Sequence, residues 1–197
     1  MPAAPPSILT SNGDNVNTSD PFLDLLAETE QRGKSEGMQY VRLHTVNPDN
    51  TCSCGSLLCL HPGKHVAREA GAKGTYTYSV FCGHNAVPGN GNLGVRAGQC
   101  IIIDIDPRWG GATNAQNQLK NIDLGNTWTV QTATGGFHIW LRLPPDFALA
   151  CSRIHLASGL DILSGESVYG LVPPSRGFNQ VFYRWDSDPC VDRKSVV

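Results

Sequence analysis

Residues 101–106 read Ile-Ile-Ile-Asp-Ile-Asp, and Pro107 follows. So dense a run of branched apolar residues demands a buried β-strand, and a proline ends it because it has no N–H for the ladder. Side chains on a strand alternate, so Asp104 and Asp106 share one face while Ile103 and Ile105 enter a core on the other. Two neighbouring carboxylates repel, so either one takes up a proton or a cation sits between them. Hard divalent ions, Mg²⁺ or Mn²⁺, suit carboxylate oxygens. Such a pair is a common anchor for phosphoryl transfer assisted by two ions. A short Asp-x-Asp is equally a plain strand end and turn start, so its surroundings decide its weight.

The chain of 197 residues is long enough for one sizeable core. Its 21 glycines and 13 prolines predict many turns and short elements. A net charge of −2 counts against tight, unaided nucleic-acid binding. No apolar run approaches the ~20 residues that span a bilayer, so no membrane role is expected. Residues 1–20, rich in Pro, Ala, Ser, Asn and Thr, read as a flexible tail rather than a signal peptide. Residues 191–197 read as a second tail, leaving 21–190 as one domain. The seven cysteines are odd in number and unevenly spread, which fits a reduced, intracellular protein better than a disulfide framework.

Asp20 and Pro21 read as an N-cap and first helical residue. The helix places Phe22, Leu25, Leu26 and Thr29 on one face and stops at Gly33. Strands are predicted over 38–46 and, less clearly, 75–81. Residues 91–106 read as two short strands about a Gly98-Gln99 turn. Residues 113–125 predict a helix ending at Gly125. Strands 127–133 and 137–143 flank Thr134-Gly135-Gly136 as a hairpin. Three more strands fall near 159–165, 168–175 and 179–185. Many short strands with two or three helices argue for an α+β fold.

Two further places bear on the aspartates. Gly135 and Gly136 precede His138, and successive glycine amides can form an anion nest that a histidine would complete. Asp161 opens a later strand, and Ser175 and Arg176 follow a rigid Pro-Pro. An unpaired charge inside an apolar strand is costly, so three acids, a glycine turn and a histidine in such positions suggest a nucleoside triphosphate site. Each alone is more ordinary: a cap, a turn or a structural histidine.

The order Asp-x-Asp, Thr-x-x-Gly-Gly-x-His, Asp161, then Pro-Pro-Ser resembles the bifunctional DNA primase/polymerase N-terminal domain, the prim-pol group of the archaeo-eukaryotic primase superfamily. The resemblance runs from about Phe22 to Trp185, and residues 92–111 carry its most specific part. It implies an RNA-recognition-motif-like catalytic core with a smaller α/β unit. It implies Asp104, Asp106 and Asp161 as catalytic residues holding two Mg²⁺ or Mn²⁺ ions, and His138 on the nucleotide's phosphates. The superfamily's second motif is usually Ser-x-His; here Gly136-Phe137-His138 stands there, with Thr134 or the Gly136 amide in place of the hydroxyl. Substrates would be nucleoside triphosphates and a single-stranded DNA template, with a helicase region or partner in such replication proteins.

Cys52, Cys54, Cys59 and His65 form C-x-C-x₄-C-x₅-H within 51–65. Three thiols and an imidazole suit one tetrahedral, structural Zn²⁺. His61 competes as fourth ligand, and the resemblance favours His65 of Gly-Lys-His. Lys64 would then sit beside the zinc and face a phosphate. Arg96, Arg108 and Arg176 adjoin motifs and are candidate phosphate contacts. Trp109 is a candidate base-stacking residue. Trp128, Trp140 and Trp185 read as core or edge residues, and His44, His84 and His155 as ordinary histidines. Two other readings remain open: a zinc-stabilised nucleic-acid-binding module with an inactive core, and a metal-dependent nuclease or phosphohydrolase using the same acids with water.

Overall fold

The computed structural model describes residues 21–36, 39–67, 91–125, 127–147 and 151–186. Both predicted tails, the Asp20 cap and the predicted strand 75–81 lie outside them. The described elements are α1 (Pro21–Glu36), β1 (Tyr40–Leu43), β2 (Asn92–Ile105), α2 (Gly111–Leu119), β3 (Trp128–Gln131), β4 (Phe137–Arg142), β5 (Arg153–Ala157), β6 (Leu160–Val172) and β7 (Arg184–Trp185). They build one antiparallel sheet of order β5-β6-β2-β4-β3-β7, with β1 beside β2. The α+β expectation holds: the sheet is antiparallel and curled, and helices are few.

β2 is the spine. Its first residues pair with β1 on one side, and Cys100 to Ile105 pair with β4 on that same side. β6 runs along its other side. The two strands expected around Gly98-Gln99 are one strand of 14 residues. Those expected near 159–165 and 168–175 merge into β6. The reason is a shared crease. Gly98 (φ 51°) lies opposite Gly165 (φ 97°), and the register shifts on both sides of Gly98. A glycine inside a strand pattern marks a bulge as readily as a turn.

The sheet buries both faces. Ile103, Ile105, Leu141 and Leu160 pack with Ala115 and Leu119 of α2. On the other face Ile102, Trp128, Val130, Trp140 and Tyr183 join Val41, Leu43, Val95 and Val172 in the larger core. Isoleucines 103 and 105 thus enter a core, as their alternation requires. α2 stops at Leu119, well before Gly125, and Ile122 N–H turns back to the Leu119 carbonyl. Asn and Asp in 121–123 favour such turns over helix. α1 runs three residues beyond Gly33. Its buried Thr29 donates to the Pro173 carbonyl (2.7 Å) and accepts from Trp185 Nε1 (3.0 Å), which clamps the helix to the sheet. β5 is an edge strand that pattern reading misses, because its residues are mostly exposed and only loosely alternate.

Buried polar side chains join the loops to this frame. Asn92 Nδ2 donates to the Gly63 and Arg176 carbonyls at 2.9 and 2.8 Å, and its Oδ1 accepts from Arg176 N–H at 2.8 Å. One side chain, 2% exposed, therefore links the cysteine loop, the start of β2 and the segment after Pro174. Asn92→Ala strands several buried backbone groups at once. We expect it to lower unfolding stability by about 3 kcal/mol. Urea denaturation followed by circular dichroism checks this, and a loss below about 1 kcal/mol would mean the three segments are held otherwise.

Candidate functional site

Asp104 lies directly opposite His138 on β4 and Asp161 on β6. Asp161 in turn lies opposite His155 on β5. Opposed residues of antiparallel strands project to the same face, with Cα atoms about 4.5–5.5 Å apart. Four neighbouring strands therefore set His155, Asp161, Asp104 and His138 in one row. The row stands on the face that Ile102 shares, opposite α2. Asp106 sits just past the strand end, where it caps the short 3₁₀ turn Pro107–Trp109 by accepting from Arg108 N–H. Behind it the chain crosses itself closely: a Cβ on Gly111 would meet the Gly159 carbonyl at 2.1 Å and the Asp106 carbonyl at 2.6 Å. Only glycine permits that crossing, which holds the Asp106 turn against the β5–β6 hairpin.

Like charges side by side need compensation, and it comes from three directions. The Arg153 guanidinium lies 2.6 Å from Asp161 Oδ2, and His155 Nδ1 lies 2.9 Å from Oδ1. Burial would raise the Asp161 carboxyl, but these two partners hold it below the ordinary range. Arg108 grips both oxygens of Asp106, at 3.0 and 2.6 Å, and lowers its pKa against the opposing effect of burial. His138 Nε2 lies 3.7 Å from Asp104 Oδ1, while Nδ1 is 3.2 Å from the Leu171 carbonyl. Burial pushes the imidazole below its usual value, and Asp104 and Leu171 oppose this. With Nδ1–H donating to Leu171, a neutral ring turns an unprotonated Nε2 toward Asp104. Lys64 adds positive charge that both Asp106 and His138 feel. Burial and the nearby Asp104 carboxylate push the Tyr183 phenol well above its ordinary pKa.

Carboxylate oxygens are the donor type that a hard divalent cation takes. Asp104 and Asp161 are adjacent in register, and Asp104, its side chain 34% exposed, is the more open of the two. The three carboxylates do not converge tightly, because Asp106 turns to Arg108 and Asp161 to Arg153 and His155.

Several predicted contacts have other work. The glycine turn offers no anion nest: Gly135 N–H donates to the Thr132 carbonyl (3.0 Å) and Gly136 N–H to Thr132 Oγ1 (3.0 Å). Closing a hairpin of this length engages the amides that a nest would leave open. Thr134 is exposed, and its hydroxyl meets Thr132 Oγ1 at 3.1 Å. Ser175 is fully buried; its hydroxyl donates to the Leu93 carbonyl (2.8 Å) and accepts from Leu93 N–H (2.9 Å), so it is a strand clamp rather than a ligand contact. Arg176 lies over the Phe182 ring at 4.7 Å. Arg96 donates to the Glu166 carbonyl (2.7 Å), toward the far end of β2 from Asp104. Of the three motif arginines, only Arg108 reaches the acidic row's mouth. Trp109 is 66% exposed beside it, whereas Trp128 and Trp140 are core residues.

His155, which its sequence context marks as ordinary, is a partner of Asp161, and so is Arg153, which adjoins no motif. Both would emerge from reading Arg153–Leu163 as a hairpin about Ser158-Gly159, which places His155 across from Asp161. Tyr183 had no such signal, since only tertiary packing brings its ring within 6.0 Å of His138.

The ligand atoms of Cys52, Cys54, Cys59 and His65 lie within 4.8 Å of one another. Cys52 and Cys59 Sγ are 3.2 and 3.4 Å from His65 Nε2. Those spacings approach the ~3.5 Å edge of a tetrahedron with metal bonds of about 2.1–2.3 Å, so the cluster could hold a zinc ion. His65 is the fourth member, while His61 is exposed outside it. Burial would raise the Cys52 thiol, but the Gly63 and Cys54 N–H groups and His65 bring it down to about 6, toward the thiolate a metal needs. Lys64 immediately precedes His65, and its carbonyl accepts from the Tyr169 hydroxyl of β6 at 2.9 Å.

A family model described as bifunctional DNA primase/polymerase, N-terminal, matches residues 43–195. No curated protein and no solved structure matches. Among the described residues, no helix is long and apolar enough to cross a membrane.

Carefully purified protein should carry about one zinc per chain by elemental analysis. Cys59→Ser should lower that content, and His61→Ala should not. Metal loss in His61→Ala with retention in His65→Ala would exchange the two histidines' roles.

Proposed function

The chain belongs to the bifunctional DNA primase/polymerase N-terminal family, and on that footing we propose that it is a template-directed nucleotidyl transferase acting on nucleoside triphosphates. The observation that carries this reading is the row Asp161–Asp104–His138, set across three adjacent strands. A primer's 3′-hydroxyl, or that of an initiating nucleotide, attacks the α-phosphate of the bound nucleotide, and pyrophosphate leaves.

Asp104, Asp106 and Asp161 would hold two Mg²⁺ or Mn²⁺ ions. When bound, such ions supply charge stabilisation for both the attacking and the leaving oxygen. Asp104 and Asp161 stand side by side in register on paired strands, so the backbone needs no rearrangement and only side chains move on binding. Asp106 rotates off Arg108 to join them. Arg108 and Lys64 then form a cationic rim for the triphosphate. His138 is buried and fixed by the Leu171 carbonyl, and it offers Nε2 to the same anion, taking up a proton as phosphate approaches. Thr134 and Trp109 are exposed beside this group, Trp109 as a surface on which a base can stack.

The zinc of the Cys₃His loop is structural in this reading. It stiffens a polar segment and presents Lys64 to the site. Residues 21–190 form the catalytic domain, with an RNA-recognition-motif-like core, between tails 1–20 and 191–197. The template is single-stranded DNA, the setting is intracellular, and a helicase region or partner supplies the opened strand.

Incubating the protein with labelled nucleotides, Mn²⁺ and a single-stranded template tests the proposal. Extension products support it, while a shortened template favours the nuclease and neither result favours a binding module. Asp104→Asn should cut synthesis at least about a hundredfold while circular dichroism stays unchanged. Near-normal turnover in that variant would remove the metal assignment. His138→Ala should raise the nucleotide KM about tenfold, and an unchanged KM would take the histidine off the phosphates.

A further inference from the structure

Asp161 is held by two partners that the family reading does not use. Its side chain is 9% exposed, whereas those of Arg153 and His155 are each 65% exposed. That asymmetry has a physical consequence. A nearly buried carboxylate beside a second carboxylate needs a counter-charge at all times. An exposed guanidinium, by contrast, loses little by letting go once another cation takes over the counter-charge, because water rehydrates it. Arg153 lies on β5, diagonal to Asp161 across the strand pair, and its charge is also felt by Asp104.

We propose that Arg153 is a metal-exchangeable partner of Asp161: it neutralises the carboxylate before a divalent ion arrives, yields Oδ2 to the ion, and turns its guanidinium to the phosphates of the incoming nucleotide. The inference rests on the reading of Asp104 and Asp161 as ion ligands. Arg153 and the ion seek the same oxygen, so each excludes the other. The released guanidinium stands at the open edge of the row, where a triphosphate presents acceptor oxygens. His155 keeps its hold on Oδ1 and preserves the carboxylate's orientation during the exchange. Arg153 is therefore a positioning residue before ion binding and a substrate contact after it.

The test is Mn²⁺ binding without nucleotide, read as free Mn²⁺ by electron paramagnetic resonance, in wild type, Arg153→Gln, Arg153→Lys and Asp104→Asn. Exchange predicts that Arg153→Gln binds Mn²⁺ about fivefold more tightly, because the competitor is gone. The same variant should bind a fluorescent deoxynucleoside triphosphate several-fold more weakly at saturating Mn²⁺. Arg153→Lys should fall between wild type and Arg153→Gln in both measurements. A merely structural ion pair predicts the opposite sign, since a misplaced Asp161 would loosen the ion. Unchanged or weaker Mn²⁺ binding in Arg153→Gln overturns the exchange, and unchanged triphosphate affinity overturns the second contact. Asp104→Asn separates the two levels. If it loses Mn²⁺ while Arg153→Gln equals wild type, the metal site stands and the exchange falls. If it binds Mn²⁺ like wild type, the metal site falls and takes this inference with it.

Discussion

The register of β2 against β4 and β6 is the constraint on which everything else depends. It places Asp104 between His138 and Asp161, and it does so because the isoleucines around Asp104 must stay buried. A slip of one residue would move Ile103 and Ile105 off α2 and turn Asp104 into that core. The hydrophobic effect therefore sets the position of the polar row. Both faces of the strand are covered, so the alternation leaves no slack. The bulge at Gly98 and Gly165 absorbs the curl upstream and leaves regular pairing where the aspartates stand.

Polar connectors transmit this frame to the loops. Asn92 ties Gly63 to Arg176, Ser175 clamps Leu93, and Thr29 joins α1 to Pro173 and Trp185. Each is buried and fully engaged. The cysteine loop is thus attached at Gly63, at its histidine end, and through the Lys64 carbonyl to Tyr169. The loop gains a fixed orientation, and with it a fixed origin for the Lys64 side chain. The Cys₃His loop thus brings the Lys64 charge within reach of Asp106 and His138, although more than thirty residues separate Lys64 from Asp104 in sequence.

Electrostatics explains why cations crowd the row. Two adjacent carboxylates on a half-buried face are tolerable only with positive charge at hand; Arg108, Arg153 and Lys64 supply it, and His155 adds a hydrogen-bond partner for Asp161. Arg108, Arg153 and His155 carry these contacts on exposed side chains. Motif adjacency finds Arg108 at the mouth of the row but not Arg153 or His155. Ser175 lies near a motif in sequence but is buried, and Arg176 stacks on Phe182, while Arg153 and His155 belong to no motif and face the row.

The local code was legible wherever one strand's own pattern was enough. The Ile-Asp alternation, the hairpin around Gly135, the apolar face of α1 and the grouping of Cys52, Cys54 and Cys59 with a nearby histidine follow from periodicity and donor chemistry alone, while the choice of His65 over His61 came from the family resemblance. Glycine was ambiguous, because turn, bulge and close crossing all require it: Gly98 makes a bulge, and Gly111 a crossing behind Asp106. The sequence by itself determined which residues could carry charge into a buried strand and which could gather around a soft metal. Only the tertiary structure decided that Asp161, Asp104 and His138 share one row, that Thr132 takes the glycine amides, and that Arg153 and His155 join Asp161. Those are cross-strand facts, and a strand's neighbours are chosen by the whole sheet's burial rather than by any segment's own pattern.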